Sequence, residues 1–442
     1  MSKAVKNILL FTWILLSLSL YYPSPDLAGE TDDGIYTLEK CVRYAIVNNL
    51  QIKIKEQQVA EAQYGRKKAR ADMLPRFSTS YTYRREGEVS EIKTPAFSFT
   101  MGTKDNYQWQ AAVTQPVFTG FALSSANELA RLGIDLSEVE LKLEKLDIAL
   151  QAKQAYFSIL KADKAVLVAQ AAVESLKEHL KAAKNFYDAG MAPVNDLLKA
   201  EVELANSEQN LIKARNSAML ARASFNTVLS NPVNSPVTVE DIEDFSPEQT
   251  DFEKICRQAL IKRPEIKSIE MNDLQVDQQI RLAKSKYYPE VAVTYNYIKA
   301  GDSPGVSGSY YHDSSTWNAL ATVSWNFWNW GGDHYNVRQK ELNKAQLANT
   351  KKYLEDGIKL EIKNAVLNLE ETEKRIPSAK KAVEQGEENL RVSSERYRAQ
   401  VTTSTEVLDA QTLLTRAKVN YYEALYDHHL AKAALLRALG EY

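Results

Sequence analysis

The chain repeats itself, and a repeat of this length limits the folds open to it. Shifted by 214 positions, residues 45–83 align with 259–297 without a gap. Ala45, Ile52, Lys53, Glu56, Ala69, Pro75, Tyr81 and Tyr83 meet the same residue types at Ala259, Ile266, Lys267, Glu270, Ala283, Pro289, Tyr295 and Tyr297. A shift of 210 then places Val113 on Val323, Ala155 on Ala365, Tyr187 on Tyr397, and Asp196-Leu197-Leu198-Lys199-Ala200 on Glu406-Val407-Leu408-Asp409-Ala410. The chain therefore divides into a first repeat, 30–230, a linker, 231–251, carrying Pro232, Pro236 and Pro247, and a second repeat, 252–442.

Each repeat reads helix, strand, strand, very long helix, helix, an α+β chain that is mainly α. Residues 121–189 contain no proline, and Leu129, Leu132, Leu136, Val139, Leu143, Leu146, Leu150, Phe157 and Leu160 keep the 3-4 spacing of a coiled-coil seam, broken at Lys153. A helix over 121–189, and its counterpart over 332–399, would each be about 100 Å long at 1.5 Å per residue. Neither a globular core nor a bilayer needs such a rod. Pro377 inside the second should remove a backbone hydrogen bond and kink it.

The strand segments are expected at 77–86, 107–118, 290–298 and 317–328. Phe77, Thr79, Tyr81 and Tyr83 alternate with Ser78, Ser80 and Thr82, and the other three segments alternate in the same way. About ten residues suit a tilted membrane-crossing strand, and Tyr and Trp gather near the ends, as at lipid interfaces. Four strands cannot close around a pore, and open edges in hydrocarbon leave backbone groups unsatisfied. Two, three or four copies sharing one barrel would satisfy them. The competing reading is a purely structural coiled-coil protein spanning the periplasm.

Composition narrows the functions. Lys and Arg number 55 against 57 Asp and Glu, a net charge of -2, so no basic footprint speaks for nucleic acid. Two distant cysteines, five histidines outside any HExxH spacing, and no phosphate-binding loop give no metal, cofactor or catalytic set, so no enzyme is expected. Lys3 and Lys6, the apolar run Ile8 to Leu20, and Ala28-Gly29 have the order of a secretory signal peptide, expected over 1–29. Position 30 is Glu rather than Cys, which leaves no acylation site there.

The duplicated lead-in segments ending in Pro75 and Pro289, the TQPVFTG stretch from Thr114 to Gly120, and RYRAQVTTSTEVLDAQTLL from Arg396 to Leu414 resemble the TolC-like outer-membrane efflux protein family. The resemblance implies a homotrimer in outer-membrane lipid: a 12-stranded transmembrane β-barrel continuing into a 12-helix periplasmic α-barrel. It also implies passive export through a gated tunnel, with an inner-membrane transporter and a periplasmic adaptor as partners, in efflux or type I secretion. Pro75, Pro116 and Pro289 would mark strand starts and ends.

By the same resemblance, the periplasmic gate would include Tyr397, the acidic Glu406 and Asp409, and Asn195 and Asp196 on the other hairpin. Three copies of Glu406 and Asp409 would form an acidic ring favouring cations. The family's basic link partner falls on Thr402, and its hairpin glycine on Gln400, whereas the first hairpin keeps Gly190. Read from the residues alone, Thr403-Ser404-Thr405-Glu406 is also a capping box, which would turn Glu406 onto its own helix start.

Overall fold

The computed structural model describes residues 35–95, 97–242, 244–245, 247, 251–311 and 313–442; the expected signal segment, 1–29, lies outside them. Residues Tyr36–Tyr442 form one compact unit. Each repeat opens with two helices where one was expected: α1 (Leu38–Asn48) and α2 (Leu50–Ala71), then α5 (Phe252–Lys262) and α6 (Pro264–Lys284). The breaks fall at Asn49 and Arg263, which the shift of 214 superposes, and both residues are extended. Each break has its own chemistry. Asn49 caps α2 by accepting from the Gln51 N–H at 2.8 Å and donates to the Val228 carbonyl at 2.8 Å. Arg263 is forced out of helical backbone by Pro264, the first residue of α6. Its buried guanidinium meets Glu265 and Glu361, each at 2.6 Å, and Arg437 joins Glu265 and Asp147, each at 2.8 Å.

Four strands follow from the alternation: β1 (Arg76–Arg85), β2 (Asp105–Thr119), β3 (Glu290–Gly301) and β4 (Ser315–Ser324). They form one antiparallel sheet in the order β1-β2-β3-β4, so the β2–β3 seam joins the repeats. Pro75 and Pro289 immediately precede β1 and β3, whereas Pro116 lies within β2 at a register shift between Pro116 and Phe118. The expected 317–328 strand is shorter than predicted, because β4 stops pairing at Ser324 opposite Glu290, the first residue of β3. Pro289, next in line, has no N–H to extend the ladder. A small hairpin, Ser90–Lys93 with Ser98–Met101, occupies the β1–β2 connector, where only loop was expected.

The register sorts the side chains onto two faces. One carries Phe77, Tyr81, Tyr83, Tyr107, Trp109, Val113, Val291, Tyr295, Tyr297, Trp317 and Val323. Its aromatics fall in two bands. Tyr83 and Tyr107 pack at 4.7 Å, Tyr295 and Trp317 at 5.9 Å, near the connectors, and Phe118, Phe121 and Tyr288 cluster at the opposite end. From Trp109 to Phe118 is about 30 Å along the strand, or roughly 20–25 Å of height once tilted, the depth of a barrel's apolar belt. On the other face Gln110 donates to Asn296 and Asn296 to Asn318, both at 2.9 Å, while Thr114 and Thr294 pair at 3.1 Å.

Two helices of 67 residues each, α3 (Ala122–Asp188) and α7 (Gly332–Arg398), leave the sheet, and α4 (Val194–Val228) and α8 (Ser404–Leu439) return from their far ends. Among the described residues, no helix is long and apolar enough to cross a membrane. Midway along α3 and α8, Ile148, Tyr156, Phe157, Phe225, Leu425 and Tyr426 form a buried core that includes Cys41. Burial raises the Cys41 thiol to about 12, so it stays protonated, and both cysteines are free. The linker is pinned to this core: Tyr156 donates to the Glu240 carbonyl at 2.5 Å, and Asp241 takes Tyr426 and Lys164, each at 2.7 Å. Ile376 also packs here, which places Pro377, inside a continuous α7, at the same level.

Both long helices start from two consecutive left-handed residues, Gly120-Phe121 and Trp330-Gly331. At Gly120 a Cβ would run into the Ser285 carbonyl oxygen and lie 2.9 Å from the Tyr288 Cβ. Glycine is therefore required where the first repeat's strand-to-helix turn meets the end of α6. Gly120→Ala should push these backbones apart, costing about 2 kcal/mol or more from strain and overlap. The expected outcome is a lower thermal unfolding midpoint of the detergent-solubilised protein, whereas Gly65→Ala, in a helix interior and meeting nothing within 4 Å, should leave the midpoint unchanged or raise it.

Candidate functional site

The far ends of the long helices carry the two hairpins that hold every sequence-predicted gate residue. In the first, α3 closes on Gly190 at φ 74°, with Gly190 N–H donating to the Tyr187 carbonyl and Met191 N–H to Phe186, both at 2.8 Å. This is the Schellman arrangement that glycine favours. In the second, Gln400 adopts φ 60°, its N–H bonded to the Tyr397 carbonyl at 2.9 Å and Val401 N–H to Arg396 at 3.0 Å. The turn survives without its glycine. An L side chain in that conformation costs about 1–2 kcal/mol, which the flanking bonds must offset.

Between the hairpins, Tyr397 is buried with Ala183, Ala200 and Val407, and Leu180, Phe186 and Leu390 pack around them. Its ring lies 4.9 Å from His179 and 5.5 Å from Phe186. His179 Nε2 is 2.8 Å from Ser404 Oγ, a buried hydrogen bond joining α3 to the first residue of α8. The Tyr397 hydroxyl faces the same serine without a hydrogen bond of normal geometry. Burial lowers the His179 pKa from its usual 6.5 while Asp196, approaching from α4, raises it. Burial, with Asp196, also raises the Tyr397 phenol.

The acidic positions behave differently from one another. Glu406 pairs with Arg396 at 2.9 Å and accepts from the Thr402 hydroxyl. Thr403 caps α8 without a side-chain bond, so the expected capping box is absent: Glu406 is drawn to the cation across the turn instead of back to the helix start. Asp409 is exposed and lines a groove of about 420 Å³ with Asn195, Leu198, Lys199, Glu203 and Thr405; Lys199 reaches Thr405 Oγ1 at 3.1 Å. The structure thus brings Asn195 and Asp409 to one groove and sets Tyr397 and Asp196 about His179. Sequence reading missed Arg396 and His179. Arg396 aligns with Phe186 in the other repeat and so carries no duplicated signal, but Leu176, Ala183 and Phe186 keep seam spacing and place His179 in that seam.

Among the described residues no group of His, Cys, Asp or Glu could hold a metal ion. A two-faced open sheet, duplicated helices of 67 residues and a paired-hairpin tip define the fold that solved outer-membrane channels share. The outer membrane efflux protein family matches residues 42–230 and 255–441, and the chain belongs to that family. It is similar to outer membrane protein TolC of Escherichia coli (strain K12), at 21% identity over 394 residues, covering 84% of this chain and 76% of the relative. A probable outer membrane lipoprotein, SilC of Salmonella typhimurium, is 19% identical, covering 91% and 85%. Among solved structures, the Campylobacter jejuni CmeC outer membrane channel superposes with a TM-score of 0.80 at 17% identity over 95% of this chain and 92% of that one. CusC superposes at 0.78 with 16% identity and 96% of each chain covered.

The two hairpins permit a reciprocal exchange. Gln400→Gly should relieve the left-handed strain, gaining up to about 1 kcal/mol, and Gly190→Gln should cost about 1–2 kcal/mol. Hydrogen exchange at the Val401 amide is expected to slow in the first variant, and that at Met191 to quicken in the second.

Proposed function

We propose that three copies of this chain close a 12-stranded barrel in the outer membrane and a 12-helix tunnel beneath it. The assembly is a passive duct for efflux or type I secretion, fed by an inner-membrane transporter and a periplasmic adaptor. The observation that carries this reading is the four-stranded sheet. Its outer strands, β1 and β4, are fully exposed in one protomer, with apolar bands on one face and an amide row on the other. In hydrocarbon such edges cost several kcal/mol per unpaired group, and joining β4 of one copy to β1 of the next removes that cost. The amide row then faces water in the lumen. A structural coiled-coil rod would have no use for either band.

Exposed apolar stripes support the same assembly. Leu198, Ile212 and Met219 sit whole heptads apart along α4, with Val202 one turn beyond Leu198, and Tyr353, Leu360 and Leu367 follow heptad steps along α7. In the ring these are covered by neighbouring copies. Ile212→Glu should therefore lower the trimer fraction in detergent, read by light scattering.

At the tip, Asn195, Asp196, Tyr397, Glu406 and Asp409 surround the constriction, with Gly190 at the turn. Arg396 offsets the charge of Glu406, so Asp409 contributes most of the acidic ring. In planar bilayers the purified protein should form cation-preferring pores. Asp409→Asn should reduce that preference more than Glu406→Gln does, and an unchanged reversal potential in both variants would remove the ring from the account.

A further inference from the structure

Beside the gate positions, His179 and Ser404, for which the channel reading has no use, form a buried cluster against Tyr397. It lies where α3, α4, α7 and α8 meet, and all three side chains are buried. Hydrophobic packing alone would have served to hold the hairpins. Instead the chain places there a side chain whose charge changes near neutral pH.

We propose that His179 is a proton-operated fastener of the tip: neutral, it ties α3 to the start of α8 through Ser404; protonated, it releases the second hairpin and opens the tunnel. The proposal rests on the channel reading and adds its regulation. Three features of the geometry support it. First, the bond at 2.8 Å reaches the first residue of α8, so its loss acts directly on the turn that holds Gln400, Glu406 and Asp409. Second, the Tyr397 hydroxyl beside it is buried and faces Ser404 without a bond of normal geometry, so the closed packing has little to set against a buried cation. Third, the surroundings leave the group titratable. Tyr397 faces it from α7, Ser404 from α8 and the Asp196 carboxylate from α4, while Glu178, next to it on α3, is exposed. Asp196 offsets part of the cost of charging the ring.

The sign follows from burial. His179 binds its proton less readily in the closed tip than in water, where its value is 6.5. Its contribution to closure is whole above that value and is lost as pH falls through the lower, closed-state one. Opening should therefore rise by up to about tenfold per pH unit over that window.

The test is single-channel recording of the full-length protein in planar bilayers between about pH 7.5 and 5.5. Wild-type channels should open more as pH falls. His179→Gln, whose amide can still bond Ser404 but cannot take a proton, should lose that rise. Ser404→Ala, which keeps the titrating ring and removes its tie, should open more than wild type at pH 7.5. Glu406→Gln with Asp409→Asn should keep the rise, which separates His179 from the acidic ring. A rise in His179→Gln equal to that of wild type overturns the proposal, as does a wild type whose opening ignores pH. Absence of conductance at every pH would instead overturn the channel reading on which the proposal stands.

Discussion

Unpaired backbone groups at the edges of a sheet are the constraint on which the rest of this molecule depends. A membrane supplies no water to satisfy them, so a sheet with two free edges is a fragment of a wall rather than a wall. In this chain the interior seam between β2 and β3 is closed by the duplication itself, each repeat giving the other a neighbour. The outer edges, β1 and β4, are left unpaired in one copy, and in the proposed assembly further copies cover them. The helices inherit that arrangement, because each pair of strands hands its direction to one long helix through a turn of two left-handed residues. Gly120 is where this inheritance is least forgiving, since a carbonyl oxygen occupies the space of its missing side chain.

The tip balances two kinds of interaction. Arg396 with Glu406 is exposed by 50% and 43%, so its attraction is screened and of the order of a few tenths to 1 kcal/mol. The cluster around Tyr397 is dry and sensitive to any change of charge. In the proposed gate, this arrangement would keep specificity on the wet side and stability on the dry side. The mid-rod core is of a third kind. There the linker is held by Tyr156, Lys164 and Tyr426, and what reads as a proline-rich connector is part of the packing.

Much of the architecture was legible because periodicity survives duplication: a long helix and strands with strict alternation, read in one repeat, are met again in the other. The bounds of both long helices fall within a residue or so of expectation. What escaped were features set by contacts between distant segments. The break at Asn49 depends on a carbonyl at Val228, and the end of β4 on where β3 begins, neither of which periodicity registers. At the tip, the residue types of the acidic hairpin were readable. Their partners were not: Glu406 satisfies a capping pattern in sequence but follows the nearest cation in space, and His179 counted as one histidine among five until folding surrounded it.

The equal length of α3 and α7 has a mechanical corollary. Each rod carries its hairpin to a height set by residue number, at about 1.5 Å apiece, and rotates it by about 100° with every residue added. An insertion in one rod alone would leave its turn facing away from its twin and standing proud of it. The span of such a protein can therefore drift only by matched changes in both halves, in steps near seven residues that restore the seam, and its reach is quantised by the heptad.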